Sequence, residues 1–194
     1  YMNKGLRLWQ NAKKIIPGGN GFLSKRPERF SPLSWPTYYS SANGFKITDL
    51  DNNLYYDLSN MGVGASILGY ADRDVDKFVK TSIGKGVNTS LNSPLEPELA
   101  KQILQTYKSN GSVRFARSGG EAMQIAIRIA RAFTKKELIL FSGYHGWTDW
   151  YLAANISSSN NLDEHLLPGL NPLGVPKSLK NTVISCRFND AIQL

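Results

Sequence analysis

Four residues, Arg117-Ser118-Gly119-Gly120, separate an apolar run at 112–116 from an amphipathic run at 121–133. An apolar run, a glycine turn and then helical periodicity describe a strand that reverses sharply into a helix. A second apolar run, Glu137-Leu138-Ile139-Leu140-Phe141, follows that helix, and a third, Thr182-Val183-Ile184-Ser185-Cys186, follows a long polar connection. Strands that alternate with helices form a parallel sheet, because parallel neighbours need a crossover between them. The expected fold class is therefore α/β.

The same turn has chemistry. A helix N-terminus presents backbone N–H groups without partners and the positive end of the dipole, which suits a phosphate. Glycines at 119 and 120 are expected to supply unusual dihedrals and let an anion approach the backbone closely. Ser118 can cap the helix or donate its hydroxyl, and Glu121 is expected to turn its carboxylate away. Arg117 can face the anion or pair with a surface carboxylate. Taken alone, the turn is a plain helix start. After the next strand, however, come Gly143-Tyr144-His145-Gly146-Trp147. An aromatic delivered at a strand end beside a phosphate turn can cover a flat phosphorylated ring, and the pair together suggests pyridoxal phosphate.

On these residues the chain resembles the class III aminotransferases of fold-type I, nearest to the glutamate-1-semialdehyde aminomutase branch. The likeness extends to Ile16-Pro17-Gly18-Gly19-Asn20, to residues 44–57 with Asn52 where glycine is usual, and to Leu68-Gly69-Tyr70 before Asp74-Val75. It implies cofactor contacts from Ser118, Gly119, Gly120, Tyr144 and His145, with the Tyr144 ring stacked on the pyridine. The third motif position, usually Thr or Ser, is Gly120 here, so backbone N–H groups must replace one side-chain contact. Among Ser24, Lys25 and Arg26, the resemblance makes Arg26 the candidate for a substrate carboxylate, since a guanidinium binds carboxylate in a bidentate fork. It also implies a small-molecule amino substrate and a homodimer.

In that family the Schiff-base lysine and the aspartate facing the pyridinium nitrogen come well after the Tyr-His-Gly motif. The chain therefore reads as the N-terminal part of a longer enzyme, inactive by itself. Residues 1–60 are expected to belong to a small domain, and residues 61–194 to begin the large cofactor-binding domain. The reading from another class is a non-catalytic α/β module that binds a phosphorylated ligand or a partner chain.

Composition narrows the field. The net charge of +8 over 194 residues comes from scattered lysines and arginines without a run of five like charges, which argues against nucleic-acid binding. No run approaches the roughly 20 apolar residues of a membrane span. The one cysteine, Cys186, cannot form an internal disulfide and suits a reducing, cytoplasmic setting. Neither His145 nor His165 has metal-ligand spacing to another ligating residue. His165, in the connection at 155–180, reads as a surface residue.

Elsewhere, residues 3–16 show the spacing of an amphipathic helix ended by Pro17-Gly18-Gly19. Residues 17–43 are expected to be ordered but irregular, because disordered segments rarely carry so many aromatics. Phe45-Lys46-Ile47 and Leu54-Tyr55-Tyr56 flank a polar turn and predict a hairpin. Helices are expected over 72–82, with Val75, Phe78 and Val79 inward, and over 96–107.

Overall fold

The computed structural model describes residues 3–165 and 169–193. The chain divides into two compact units, residues 1–93 and 94–194.

The first unit begins with α1 (Lys4–Ile15), whose N-cap is Asn3: its side-chain oxygen accepts from the Leu6 N–H at 2.7 Å. Leu6, Trp9 and Ala12 are buried along one stripe, whereas Leu8 and Ile15 lie outside it. Pro17-Gly18-Gly19 stops the helix, and both glycines have left-handed φ, +73° and +82°. Each also receives a flat side chain. A Cβ on Gly19 would run into the Trp9 indole, and one on Gly18 into the Arg26 guanidinium. Trp9 Nε1 then donates to Glu28 at 2.8 Å, and Lys13 Nζ donates to the same oxygen at 3.1 Å. So α1 is latched onto the irregular segment that follows, which contains two 3₁₀ turns, Leu23–Lys25 and Pro27–Arg29.

An antiparallel sheet of three strands follows: β1 (Tyr39–Asn43), β2 (Lys46–Asp49) and β3 (Leu54–Tyr56), in that order. The expected hairpin is β2–β3, with Ile47 opposite Tyr55. Strand β1 was not expected, although Asn43-Gly44, which joins it to β2, is a strong hairpin signal. Asn52 takes φ +66°, a left-handed conformation that asparagine tolerates well.

Asp49 organises the β2–β3 turn. It is 5% exposed and accepts from the N–H groups of Asp51 and Asn53, both at 2.8 Å, from Asn53 Nδ2 at 3.0 Å and from the Tyr55 hydroxyl at 3.1 Å. Burial alone would raise its pKa, but the bonds from Asn53, Asp51 and Tyr55 outweigh burial and hold it below the usual carboxylate value. Helix α2 (Arg73–Ile83) forms where a helix over 72–82 is expected and is capped by Asp72, whose Oδ1 accepts from the Val75 N–H at 3.0 Å. Its expected inward face is open instead: Val75, Phe78 and Val79 are each about half exposed. The amphipathic pattern forms the helix, but among the described residues nothing covers that face.

The second unit contains α3 (Leu95–Thr106), α4 (Gly119–Thr134), β4 (Ile139–Phe141), α5 (Asp149–Leu152), α6 (Ala154–Ser157) and β5 (Val183–Ser185). Strands β4 and β5 pair in parallel, with Leu140 opposite Ile184, which is the crossover arrangement expected of an α/β layer. Arg131 of α4 fixes where the strands start, donating from Nε to Glu137 O at 2.8 Å and from Nη2 to Thr182 O at 3.2 Å.

The run at 112–116 does not form the strand its apolar pattern predicts. A strand is defined by its ladder, and no described segment pairs with this one. The core is built from Ile127, Phe141, Trp150, Tyr151, Leu162 and Val183. The connection at 155–180 is tied into it by Asn155, itself buried, whose Nδ2 donates to Leu170 O at 2.6 Å and whose Oδ1 accepts from the Leu162 N–H at 3.0 Å. Among the described residues no helix is long and apolar enough to cross a membrane.

Candidate cofactor site at the start of helix α4

Ser118 is the N-cap of α4, in extended conformation (φ −142°, ψ 161°), and its Oγ accepts from the Glu121 N–H at 3.2 Å. Glu121 reaches back past the cap, where its Oε2 accepts from the Arg117 N–H at 2.8 Å. This is a capping box displaced by one residue. It uses a lone pair of the serine hydroxyl, whose proton stays free to donate, and one carboxylate oxygen, and the Glu121 carboxylate is thereby bent back outside the helix.

Gly119 and Gly120 are the first two helical residues. Their φ values are not positive, contrary to the expectation that the glycines supply unusual dihedrals. What they supply is room. A Cβ on Gly119 would meet nothing within 4 Å, and one on Gly120 would first meet Thr148 Cγ2 at 3.9 Å. The Glu121 and Ala122 N–H groups bond to Ser118. The Gly119 and Gly120 N–H groups have no hydrogen-bond partner among the described residues. Two bare donors at the positive end of a 16-residue helix, with open space where a Gly119 side chain would stand, fit an anion.

The loop after β4 closes against this turn. Gly146 takes φ +99°, and a Cβ on it would stand only 3.2 Å from Gly120 Cα. The loop backbone therefore rests on the helix start, and Tyr144 and His145 are carried to the same neighbourhood. Tyr144 is partly exposed and meets Tyr151 edge to face at 5.7 Å. The Tyr151 ring is fully buried beneath the loop, and its hydroxyl reaches Gly143 O at the long distance of 3.5 Å. Burial, with a smaller contribution from Tyr144, pushes the Tyr151 phenol up to about 12.

His145 is turned into the loop. Its Nε2 lies 2.7 Å from Ser142 O, and since a carbonyl only accepts, Nε2 carries the proton. The ring lies along Trp150 at 6.2 Å and edge-on to Phe141. His165, expected at the surface, is half-buried: its Nδ1 accepts from the Gly143 N–H at 3.0 Å. It anchors the start of the same loop from across the long connection, and no local pattern in the sequence marks that contact. Thr148 is the other residue the sequence did not single out. Its Oγ1 is buried and has no hydrogen-bond partner among the described residues.

Arg26 lies in the first unit, its guanidinium over Gly18 and its Nε buried without a partner among the described residues. Lys25 Nζ sits over the Phe22 ring at 5.3 Å. Among the described residues there is no group of three or more His, Cys, Asp or Glu able to hold a metal ion.

Comparison with known proteins identifies the family. The family model for class III aminotransferases matches residues 31–185. A glutamate-1-semialdehyde 2,1-aminomutase from Wigglesworthia glossinidia brevipalpis is 36% identical over 188 residues, covering 95% of this chain and 41% of that protein. An omega-transaminase from Sphaerobacter thermophilus has a TM-score of 0.79 at 27% identity, over 98% of this chain and 43% of the other. A transaminase solved with pyridoxal phosphate bound has a TM-score of 0.81 at 26% identity, over 100% of this chain and 43% of the other. The chain thus spans about two fifths of the length of each of these proteins.

Proposed function

The chain belongs to the class III aminotransferase family, and on that premise we propose that it is the N-terminal part of a pyridoxal-phosphate-dependent enzyme that moves an amino group, between molecules or within one. The observation that carries this reading is the pair of unpartnered N–H groups on Gly119 and Gly120 under the Tyr144 loop. Those two residues hold the phosphate, Ser118 fixes the helix start that presents them, and the Tyr144 ring covers the cofactor. When bound, pyridoxal phosphate supplies the electron sink for amino-group chemistry, and the protein supplies orientation. His145, bonded to Ser142 O, keeps the loop that carries Tyr144 in place.

In this reading Arg26 receives the carboxylate of a small amino substrate. Its buried, unpartnered Nε supports that role, because an arginine without a counter-charge suits an anion. Residues 1–60 begin a small domain and residues 61–194 the large one; the phosphate-site residues all lie after that boundary, in the compact unit of residues 94–194. The open apolar face of α2 supports a larger assembly, which the resemblance makes a homodimer. The buried free thiol of Cys186 suits a reducing compartment such as the cytoplasm. The lysine that bonds to the cofactor lies in the remainder of the enzyme, so the chain alone binds without turning over.

The test is titration of the protein that carries this segment with pyridoxal phosphate, followed by assay with glutamate 1-semialdehyde, with and without an added keto acid. Saturable binding is expected. Turnover without the keto acid identifies a transfer within one molecule, and a requirement for it identifies a transaminase. A folded protein that binds no pyridoxal phosphate overturns the reading.

A further inference from the structure

Thr148 stands at the N-cap of α5 with the extended backbone of a capping residue, φ −75° and ψ 159°, yet its side chain caps nothing. A threonine in that position ordinarily turns Oγ1 onto an N–H of the first turn. Here Oγ1 is buried and has no hydrogen-bond partner among the described residues. A hydroxyl buried in that way bears its full desolvation penalty, which a well-placed acceptor would remove.

Its position indicates which acceptor. Thr148 Cγ2 lies 3.9 Å from the point a Cβ on Gly120 would occupy, so this side chain is a direct neighbour of the helix start. Gly146, two residues before it, rests on Gly120 Cα. Among the described residues the neighbourhood therefore contains four hydrogen-bond donors without protein acceptors: the Gly119 N–H, the Gly120 N–H, the Ser118 hydroxyl proton and the Thr148 hydroxyl. Three belong to the helix start and one to the loop that closes on it. The nearest carboxylate on the helix, Glu121, is already bent back to the Arg117 N–H.

We propose that Thr148 Oγ1 is a further donor to the anion held by Gly119 and Gly120, so that the loop closing over α4 completes the phosphate site. The proposal rests on the cofactor reading above, and assigns a binding role to a residue that reading does not require. The shared chemistry is a phosphate group, carried either by the cofactor or by inorganic phosphate.

The experiment uses the complete protein freed of cofactor, titrated by fluorescence with pyridoxal 5′-phosphate, pyridoxal and inorganic phosphate. Thr148→Val keeps the shape and removes the hydroxyl. It is expected to weaken pyridoxal 5′-phosphate binding about tenfold, as for one hydrogen bond to a charged group, with pyridoxal affinity unchanged. Thr148→Ser restores binding. Because the hydroxyl has no protein partner, cofactor-free Thr148→Val melts at or above the wild-type temperature. Equal phosphate-ester affinity in Thr148→Val and wild type overturns the proposal, as does a lower melting temperature, which would make the hydroxyl structural. If wild type binds inorganic phosphate through Thr148 but not the pyridoxal ester, the anion site stands and the cofactor reading falls. If it binds neither, both fall.

Discussion

Gly146 and Gly120, far apart in sequence, meet backbone to backbone: a Cβ on Gly146 would stand 3.2 Å from Gly120 Cα and 3.8 Å from its nitrogen. That approach joins the phosphate turn to the aromatic loop, and it makes two glycines of one site answer differently to substitution. At Gly146, φ is +99°, so Gly146→Ala meets both backbone strain and a neighbouring backbone that cannot yield cheaply. The variant is expected to lose roughly 1–3 kcal/mol of stability and to bind pyridoxal phosphate more weakly. At Gly119 a Cβ meets open space and φ is ordinary, so Gly119→Val is expected to fold with at most a small loss. Its branched bulk stands where the anion must approach, and cofactor affinity is expected to fall by about tenfold or more. Thermal melts and fluorescence titration of both variants check the contrast. A well-folded Gly119→Val with wild-type affinity and turnover would remove the phosphate from this turn.

Tyr144 separates ring stacking from phosphate binding. Its ring meets Tyr151 edge to face, and it is partly exposed, so truncation removes little core. Tyr144→Ala is expected to weaken pyridoxal phosphate about fivefold to tenfold, from roughly 1 kcal/mol of stacking, and to slow turnover as the ring loses alignment. Pyridoxal should lose affinity by the same factor, because stacking does not involve the phosphate. A loss confined to the phosphate ester would contradict the assignment.

How much of this was legible beforehand follows from the range of each signal. Local devices were: the stop at Pro17-Gly18-Gly19, the β2–β3 hairpin and the Ser118 cap are decided by neighbours in sequence. The family membership was legible too, through the order and spacing of several weak motifs. The run at 112–116 carries a strand pattern, but pairing is not local and no described strand supplies it. Val75, Phe78 and Val79 pattern the correct helix face, yet pattern does not tell whether a cover is present. His165 and Thr148 were missed because their significance depends on contacts across the fold, to Gly143 and to Gly120.

Asp49 gives the first unit an acid dependence. Its folded pKa lies below the ordinary 3.8, so its stabilisation is present above that value and is lost as pH falls through the folded pKa. Asp49→Ala removes an acceptor of four hydrogen bonds in the β2–β3 turn. It is expected to cost roughly 2–3 kcal/mol, since the freed donors regain water only in part. Denaturant unfolding of both proteins between neutral pH and pH about 2 checks this. The wild type should lose its advantage at the acid end. A constant difference across the range would show that the carboxylate charge is not what stabilises the turn.

Tyr151 gives the second unit the opposite dependence. Its phenol is raised by burial from 10.0 to about 12, so the folded state holds that proton more tightly than the unfolded chain does. The stability tied to it is intact below about 10, declines as pH rises, and is lost once pH passes about 12. Two pKa units correspond to roughly 2–3 kcal/mol. Tyr151→Phe keeps the buried ring against Phe141 and Tyr144 and removes the ionisable group. Since the bond to Gly143 O is long, at 3.5 Å, the variant is expected to match wild type within about 1 kcal/mol at pH 7. Above pH 10 it should become the more stable of the two, with the difference in tyrosinate absorbance between wild type and variant appearing only as the wild type unfolds. An early, reversible ionisation of Tyr151 in the folded protein would show that water reaches its hydroxyl, and that the loop carrying Tyr144 opens there.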